Sequence, residues 1–165
     1  MTIESERLRL RKACDADRDG LVEVLTDPEV RHYLGGPRPR EDVERFFDSA
    51  GPAAATAAPG SYVIADKATD RMLGIIGLGR RTAGKPGHVH PDGEELELSY
   101  VLRRDEWGAG LAFEAALAVL RDAAEEHSDR PVLIVTQTAN ERSLRLSTLA
   151  LARLHSFQAT KMQNG

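Results

Sequence analysis

The 165-residue sequence has one cysteine, no surplus of basic residues and no long apolar run. Each absence removes a class of function. Cys14 alone cannot close an intramolecular disulfide, which fits a reducing compartment. A net charge of −4, from 22 Lys and Arg against 26 Asp and Glu, leaves no cationic excess to neutralise phosphates, so nucleic acid is not expected as a partner. No apolar stretch approaches the roughly 20 residues that a membrane-spanning helix needs, and no apolar signal segment opens the chain. A cytoplasmic protein with no membrane partner is therefore expected. The phosphate-loop pattern G-x-x-x-x-G-K-[ST] is missing, and G-x-G-x-x-G fails at its third glycine, where Phe113 stands. His88, His90 and Asp92 are spaced like a chelate, but no pattern supplies a fourth ligand, so no metal is expected.

What is present reads as one globular domain, 41% hydrophobic and 29% charged, long enough to bury a core. Ile3 to Arg11 alternates as a half-buried strand, Leu8 and Leu10 inward and Arg7, Arg9 and Arg11 on a solvated face. Asp15 or Asp17 can cap a helix reaching Leu25, which Gly20 weakens. Asp27-Pro28-Glu29 restarts a helical turn before Gly35-Gly36, and Pro39 to Ser49 forms another helix with Val43, Phe46 and Phe47 inward. Gly51 to Gly60 reads as a mobile connection. Ser61–Ala65 and Met72–Arg80 make a hairpin. Arg81 to Gly93 is a surface loop. The strand Glu94 to Leu102 sets Leu96, Leu98, Tyr100 and Leu102 on one face and Glu95, Glu97, Ser99 and Val101 on the other. A helix from Gly110 to about Glu126 carries Leu111, Ala115, Ala118, Val119 and Asp122 at helical spacing. Val132 to Val135 is a buried, parallel strand, and a last helix runs from Glu141 to Leu154 with Asn140 as its cap. This composes an α/β (α+β) fold: a mixed central sheet, antiparallel at its start, with a β-α-β unit at its centre.

That unit turns on Asp105 to Glu114, D-E-W-G-A-G-L-A-F-E. A strand, a glycine-spaced turn and a helix start, in that order, can hold an anion. The first amides of a helix have no partner inside it, and its dipole favours negative charge there. Gly108 and Gly110 have no Cβ to keep a ligand off the backbone. The pattern alone is equally compatible with an ordinary tight turn.

The run E-L-S-Y-V-L-R-R-D-E-W-G-A-G-L-A-F-E-A resembles the central motif of the GNAT superfamily of acetyl-CoA-dependent N-acetyltransferases, most nearly the RimJ/RimL-like branch of ribosomal-protein N-terminal acetyltransferases. The family loop reads Q/R-x-x-G-x-G/A. Gly108 and Gly110 match it, while Asp105 takes the Gln/Arg place. Asn140-Glu-Arg-Ser143 resembles the family's N-x-x-S. Glu6 to Arg11 and Asp27 to Val30 extend the resemblance to about residue 146.

The resemblance implies a splayed pair of parallel strands holding acetyl-CoA. Its diphosphate would lie on the amides of Gly108, Ala109, Gly110, Leu111 and Ala112, and its pantetheine arm against the backbone of Val101, Leu102 and Arg103, with Asn140 bonding the arm. Glu97, in the branch's E-L-x-Y strand, would be the base, and Glu95 is its substitute on the same face. The alternative for Glu97 is a plain surface glutamate. The tyrosine that many members place seven residues after the asparagine is Ser147 here, so Ser143 would attend the leaving sulfur. His32, Tyr33, Phe46 and Phe47 are candidate acceptor contacts or, equally, core. The acceptor would be a primary amine, on a protein N-terminus or a small molecule. The family's S-x-R-L-L-x-x-L-G-F becomes Ser143-Leu-Arg-Leu-Ser-Thr-Leu-Ala-Leu-Ala-Arg-Leu-His-Ser-Phe157, leaving Gln158 to Gly165 room for one strand instead of a hairpin. The acceptor side is then open, completed by a partner chain as in a homodimer, or defective. A catalytically weak CoA-binding module and a nucleotide-binding domain remain as alternatives.

Overall fold

A computed structural model describes residues 2–80, 95–124 and 145, and the backbone of 132–137 and 159–164. The described residues form one seven-stranded sheet whose strands lie in sequence order. Strands β1 (Ile3–Glu4), β2 (Leu8–Arg11), β3 (Ser61–Asp66), β4 (Met72–Arg80) and β5 (Leu96–Leu102) form an antiparallel series. Strands β6 (Val132–Gln137) and β7 (Ala159–Asn164) continue it in parallel with β5. The expected parallel pair is thus extended by one strand, which fills the room left at the end of the chain.

Helices α1 (Arg18–Thr26) and α2 (Arg40–Ala50) cover one face of the sheet, and α3 (Leu111–Ala124) covers the other. The α3 face buries Leu8, Leu10, Ile64, Ile76, Leu98 and Leu102 against Ala115, Ala116, Val119 and Leu120. The buried stripe of α3 therefore centres on Ala115, Ala116, Val119 and Leu120. Ala118 and Asp122, expected in it, are half-exposed. Leu117 joins the stripe because a helix lying flat on a sheet is covered over a wide arc. On the opposite face Leu21, Val24, Val43 and Phe47 pack on Val63, Ala65 and Met72. Gly20, which weakens α1 by propensity, has a packing reason: a Cβ there would stand 2.8 Å from Met72 Sδ. The bare backbone lets α1 lie directly on the start of β4.

Three local readings are corrected. Ile3 to Arg11 is a tight hairpin, not one strand: Ile3 pairs with Leu10, and Ser5 N–H donates to Leu8 C=O at 3.0 Å. Alternation fits both arms, so it could not show the reversal. Asp17 caps α1 with no side-chain bond. Its carboxylate is buried and accepts the Arg11 guanidinium at 2.7 and 3.0 Å and Cys14 N–H at 2.8 Å. Arg11 is accordingly no solvated arginine. The connection 51–60 is ordered, not mobile. It holds a short 3-10 turn, Pro52–Thr56, and Lys12 Nζ gathers the carbonyls of Thr56, Ala58 and Ser61 at 2.9, 3.2 and 2.8 Å while lying over the Tyr62 ring.

Within that connection Thr56, 1% exposed, accepts Ala13 N–H on its hydroxyl at 2.8 Å. Replacing Thr56 by valine keeps the shape and orphans a buried N–H. The variant should lose about 1–3 kcal/mol in urea unfolding. An unchanged midpoint would show that this bond contributes nothing.

Candidate active site

The site begins where two parallel strands part. β5 and β6 pair at Leu96–Val132, Glu97–Leu133 and Leu98–Ile134, and there the pairing ends, although β5 continues to Leu102 and β6 to Gln137. The β5–β6 ladder thus leaves a gap along the last four residues of β5. Arg103 N–H donates to Leu73 C=O of β4 at 2.8 Å, and the Val101 carbonyl faces Gly74 of the same strand. Successive residues of a strand direct their peptide groups to opposite sides, so those of Tyr100 and Leu102 are directed toward the gap. The expectation that Val101 and Arg103 offer backbone groups there is corrected: both are turned to β4. Leu102 is on the gap side, and its carbonyl accepts the Trp107 indole N–H at 3.3 Å.

Past Leu102 the chain makes a 3-10 turn, Arg104–Glu106, and then reaches Gly108, Ala109 and Gly110, all exposed. Gly108 and Gly110 have φ of +88° and +76°, a region other residues enter at a cost. A Cβ at Gly108 would touch nothing within 4 Å, so backbone conformation, not crowding, selects glycine. Glu114 N–H closes the first bond of α3 on Gly110 C=O at 3.1 Å. The amides of Leu111 and Ala112 therefore stand in the first turn of the helix, where they have no partner within it.

Ion pairs from three other parts of the fold pin this loop. Arg103 pairs with Glu23 at 2.5 Å, Arg104 with Asp27 at 3.4 Å, and Arg71 with Glu106 at 2.6 Å and Asp105 at 3.4 Å. Arg7 donates through Nε to Glu114 at 2.7 Å and through Nη1 to Ala109 C=O at 2.9 Å. Because a trans peptide sets C=O and N–H on opposite sides, fixing the Ala109 carbonyl toward Arg7 fixes Gly110 N–H away from it. The Glu114 carboxylate also accepts Ser5 Oγ at 2.7 Å and Arg7 N–H at 2.8 Å. Burial acts to raise its carboxyl, but the bonds from Ser5 and Arg7 outweigh that and hold it below the usual carboxylate range. Arg7 was read as part of a solvated face, and nothing local in the sequence links it to a residue so far along the chain.

The other candidates fall in three groups. Glu97 and Ser99 share the sheet face that carries α1 and α2, Glu97 partly buried and Ser99 exposed; Glu95 is fully buried. His32 and Phe46 are exposed and Tyr33 half-buried, with the His32 and Tyr33 rings edge to face at 4.6 Å. Phe47 is 3% exposed and belongs to the core between α1, α2 and the sheet, so it is no acceptor wall. Asn140 and Ser143, like His88, His90 and Asp92, lie outside the described residues. Among the described residues no group of three His, Cys, Asp or Glu could hold a metal, and no helix is long and apolar enough to cross a membrane.

The acetyltransferase (GNAT) domain family model matches residues 7–149. The chain belongs to the GNAT acetyltransferase domain family. It is 31% identical over 117 residues to the uncharacterised N-acetyltransferase p20 of Bacillus licheniformis, a match covering 69% of this chain and 61% of that relative. Less than two thirds of the relative's length is therefore spanned. An acetyltransferase of Agrobacterium tumefaciens superposes with a TM-score of 0.66 at 26% identity, over 91% of this chain and 82% of that one. A RimL ribosomal-protein alpha-N-acetyltransferase in complex with coenzyme A has the same fold, with a TM-score of 0.64 at 17% identity over 91% of this chain and 82% of that one.

The glycine turn suits the diphosphate of coenzyme A. Gly108, Ala109 and Gly110 are exposed, the two glycines have positive φ, and the helix dipole favours an anion. The departure at Asp105 is offset by Arg71, whose guanidinium stands between Asp105 and Glu106.

The depressed Glu114 carboxyl gives a pH prediction. A group whose folded pKa is lowered adds stability that is present above its ordinary pKa and lost as pH falls through the folded value. Between about pH 5 and 2 the wild type should lose more melting temperature than Glu114→Gln, which has no charge to titrate. Parallel acid limbs for the two proteins would contradict the clamp.

Proposed function

We propose that this GNAT protein is an acetyl-CoA-dependent N-acetyltransferase that passes the acetyl group directly to a primary amine. The observation that carries the reading is the parting of β5 and β6 beyond Leu98, with the glycine turn and the open end of α3 beyond the end of β5. Acetyl-CoA supplies an activated acetyl thioester. The amides of Gly108 to Ala112 would hold its diphosphate, and the gap-side backbone of Tyr100 and Leu102 would hold its pantetheine arm as an added strand. An amide on that edge can stabilise charge gathering on the thioester oxygen. Glu97, on the face opposite the α3 layer and one residue before the parting, takes the proton from the acceptor ammonium, directly or through water. Ser143 is assigned to the departing sulfur and Asn140 to the arm. His32, Tyr33 and Phe46 form an outer acceptor wall. The composition and the resemblance to the ribosomal-protein branch support a cytoplasmic enzyme acting on a protein N-terminus or a small amine.

Acetyl-CoA in large excess over its dissociation constant should stabilise the wild type by about 2–4 kcal/mol, seen as a thermal shift that NAD and ATP do not give. Gly110→Val should abolish that shift, because valine neither adopts φ near +76° readily nor leaves the turn open. A full shift in the variant would remove the turn from the cofactor site.

Glu97→Gln should retain the acetyl-CoA shift and lower kcat by about 100-fold or more. A variant as fast as wild type at every pH would take Glu97 out of the reaction. If the wild type binds acetyl-CoA but releases no thiol with any amine, the protein is a binding module of this fold.

A further inference from the structure

The peptide that joins Ala109 to Gly110 has two orientations open to it. Turning it over changes ψ of Ala109 and φ of Gly110, and glycine tolerates φ of either sign. The present φ of +76° at Gly110 is therefore one of two accessible choices. Something outside the turn makes the choice. Arg7 Nη1 donates to Ala109 C=O at 2.9 Å. Arg7 is itself held by the Glu114 carboxylate, through Nε at 2.7 Å and its backbone N–H at 2.8 Å, and Ser5 Oγ donates to the same carboxylate at 2.7 Å. The guanidinium is planar, so a bond through Nε also fixes the direction in which Nη1 donates. With the Ala109 carbonyl turned to Arg7, Gly110 N–H is turned to the other side. The flipped peptide would put the Ala109 oxygen where that N–H now stands, and an oxygen there repels an anion.

We propose that Arg7 is a positioning residue of the coenzyme site: it sets the Ala109–Gly110 peptide so that the Gly110 N–H, and not the Ala109 oxygen, faces the coenzyme diphosphate. The proposal rests on the acetyltransferase reading and adds to it a residue 102 positions from the carbonyl it holds. Arg7 takes part in no chemical step. It acts on the population of turns that can bind. When the competent orientation is a minority state, the apparent Kd rises by the inverse of its fraction. Losing the brace should therefore weaken binding about 10–30-fold, the range expected for one lost hydrogen bond to a charged group. The effect is separable from stability. Ser5 and Arg7 share Glu114, and it is Arg7 that also reaches Ala109.

Isothermal titration with coenzyme A and with 3′-dephospho-coenzyme A tests this. Arg7→Ala should raise both Kd values about 10–30-fold. Arg7→Met keeps the apolar stem and loses every donor, so it should show the same loss and covers the case in which the alanine variant does not fold. Ser5→Ala should do the reverse, lowering the melting temperature by about 2–4 °C with both Kd values unchanged. Wild-type affinity in a folded Arg7 variant overturns the proposal. So does a loss seen with coenzyme A and not with the 3′-dephospho form, which makes Arg7 a charge for the 3′-phosphate. An equal loss of affinity in Ser5→Ala also overturns it, because Arg7 is then a prop of the fold. In those three outcomes the wild type still binds and the acetyltransferase reading stands. A wild type that binds neither coenzyme overturns both.

Discussion

The arrangement depends on one carboxylate. Glu114 sits in the first turn of α3 and accepts Ser5 Oγ, Arg7 N–H and Arg7 Nε, all from the opening hairpin and all within 2.8 Å. A negative group suits a helix start, so the residue is stabilised where it stands before any partner is counted. Its partners then join the first turn of the chain to the turn that begins α3. Through Arg7 the same contact reaches the Ala109 carbonyl and sets the peptide plane that presents Gly110 N–H. A helix start without such a brace would leave that plane free to rotate, and the turn would lose its fixed shape.

The rest of the turn follows the same logic with different residues. Arg103, Arg104, Asp105 and Glu106 are consecutive, and each finds an opposite charge on another element: Glu23 and Asp27 from α1 and its end, Arg71 from the β3–β4 hairpin. Exposed pairs of this kind stabilise a fold by about 0–1 kcal/mol each, so they do not explain why the domain folds. They explain why a glycine-containing loop keeps one shape. Two positive residues followed by two negative ones leave the turn nearly neutral, so any pull on a diphosphate there would come from oriented amides and the dipole instead of from loose cations. A chain of net charge −4 can hold a polyanion on those terms.

The sequence showed the fold wherever the signal was periodic or carried by glycine and proline. The hairpin Ser61–Arg80, the strand at Leu96–Leu102, the helix after Gly110 and the parallel strand at Val132 all appear close to their expected bounds. The site was legible as a turn but not as a mechanism of support. The Arg7–Glu114 contact joins residues 107 positions apart, and a surface arginine in an alternating strand has no local mark to distinguish it. Peptide direction was also hidden. Whether Val101 or Leu102 faces the gap depends on which pairs with β4 through hydrogen bonds, and side-chain alternation is silent on that. Phe46 and Phe47 look alike in sequence, yet one step along a helix turns by about 100°, placing the first at the surface and the second in the core.

The two faces of β4 and β5 differ in character. Both strands are apolar toward α3, where Ile76, Leu78, Leu96 and Leu98 pack without a break. Toward α1 and α2 the same strands change character partway: Ile75 and Val101 lie under the helices, and one row on the residues become Gly77 and Ser99, then Gly79 and Glu97. A sheet whose only task was to be covered would carry β-branched residues through that row, because glycine weakens a strand and leaves nothing to pack. The antiparallel ladder Gly74–Arg80 with Leu96–Leu102 holds there nonetheless, because β4 is supported by β3 on one side and β5 on the other. Stability forgone at the bare row is supplied by the opposite face, where Ile76 and Leu98 are almost fully buried. Among the described residues, the α3 face of each strand thus carries the packing at this end of the sheet.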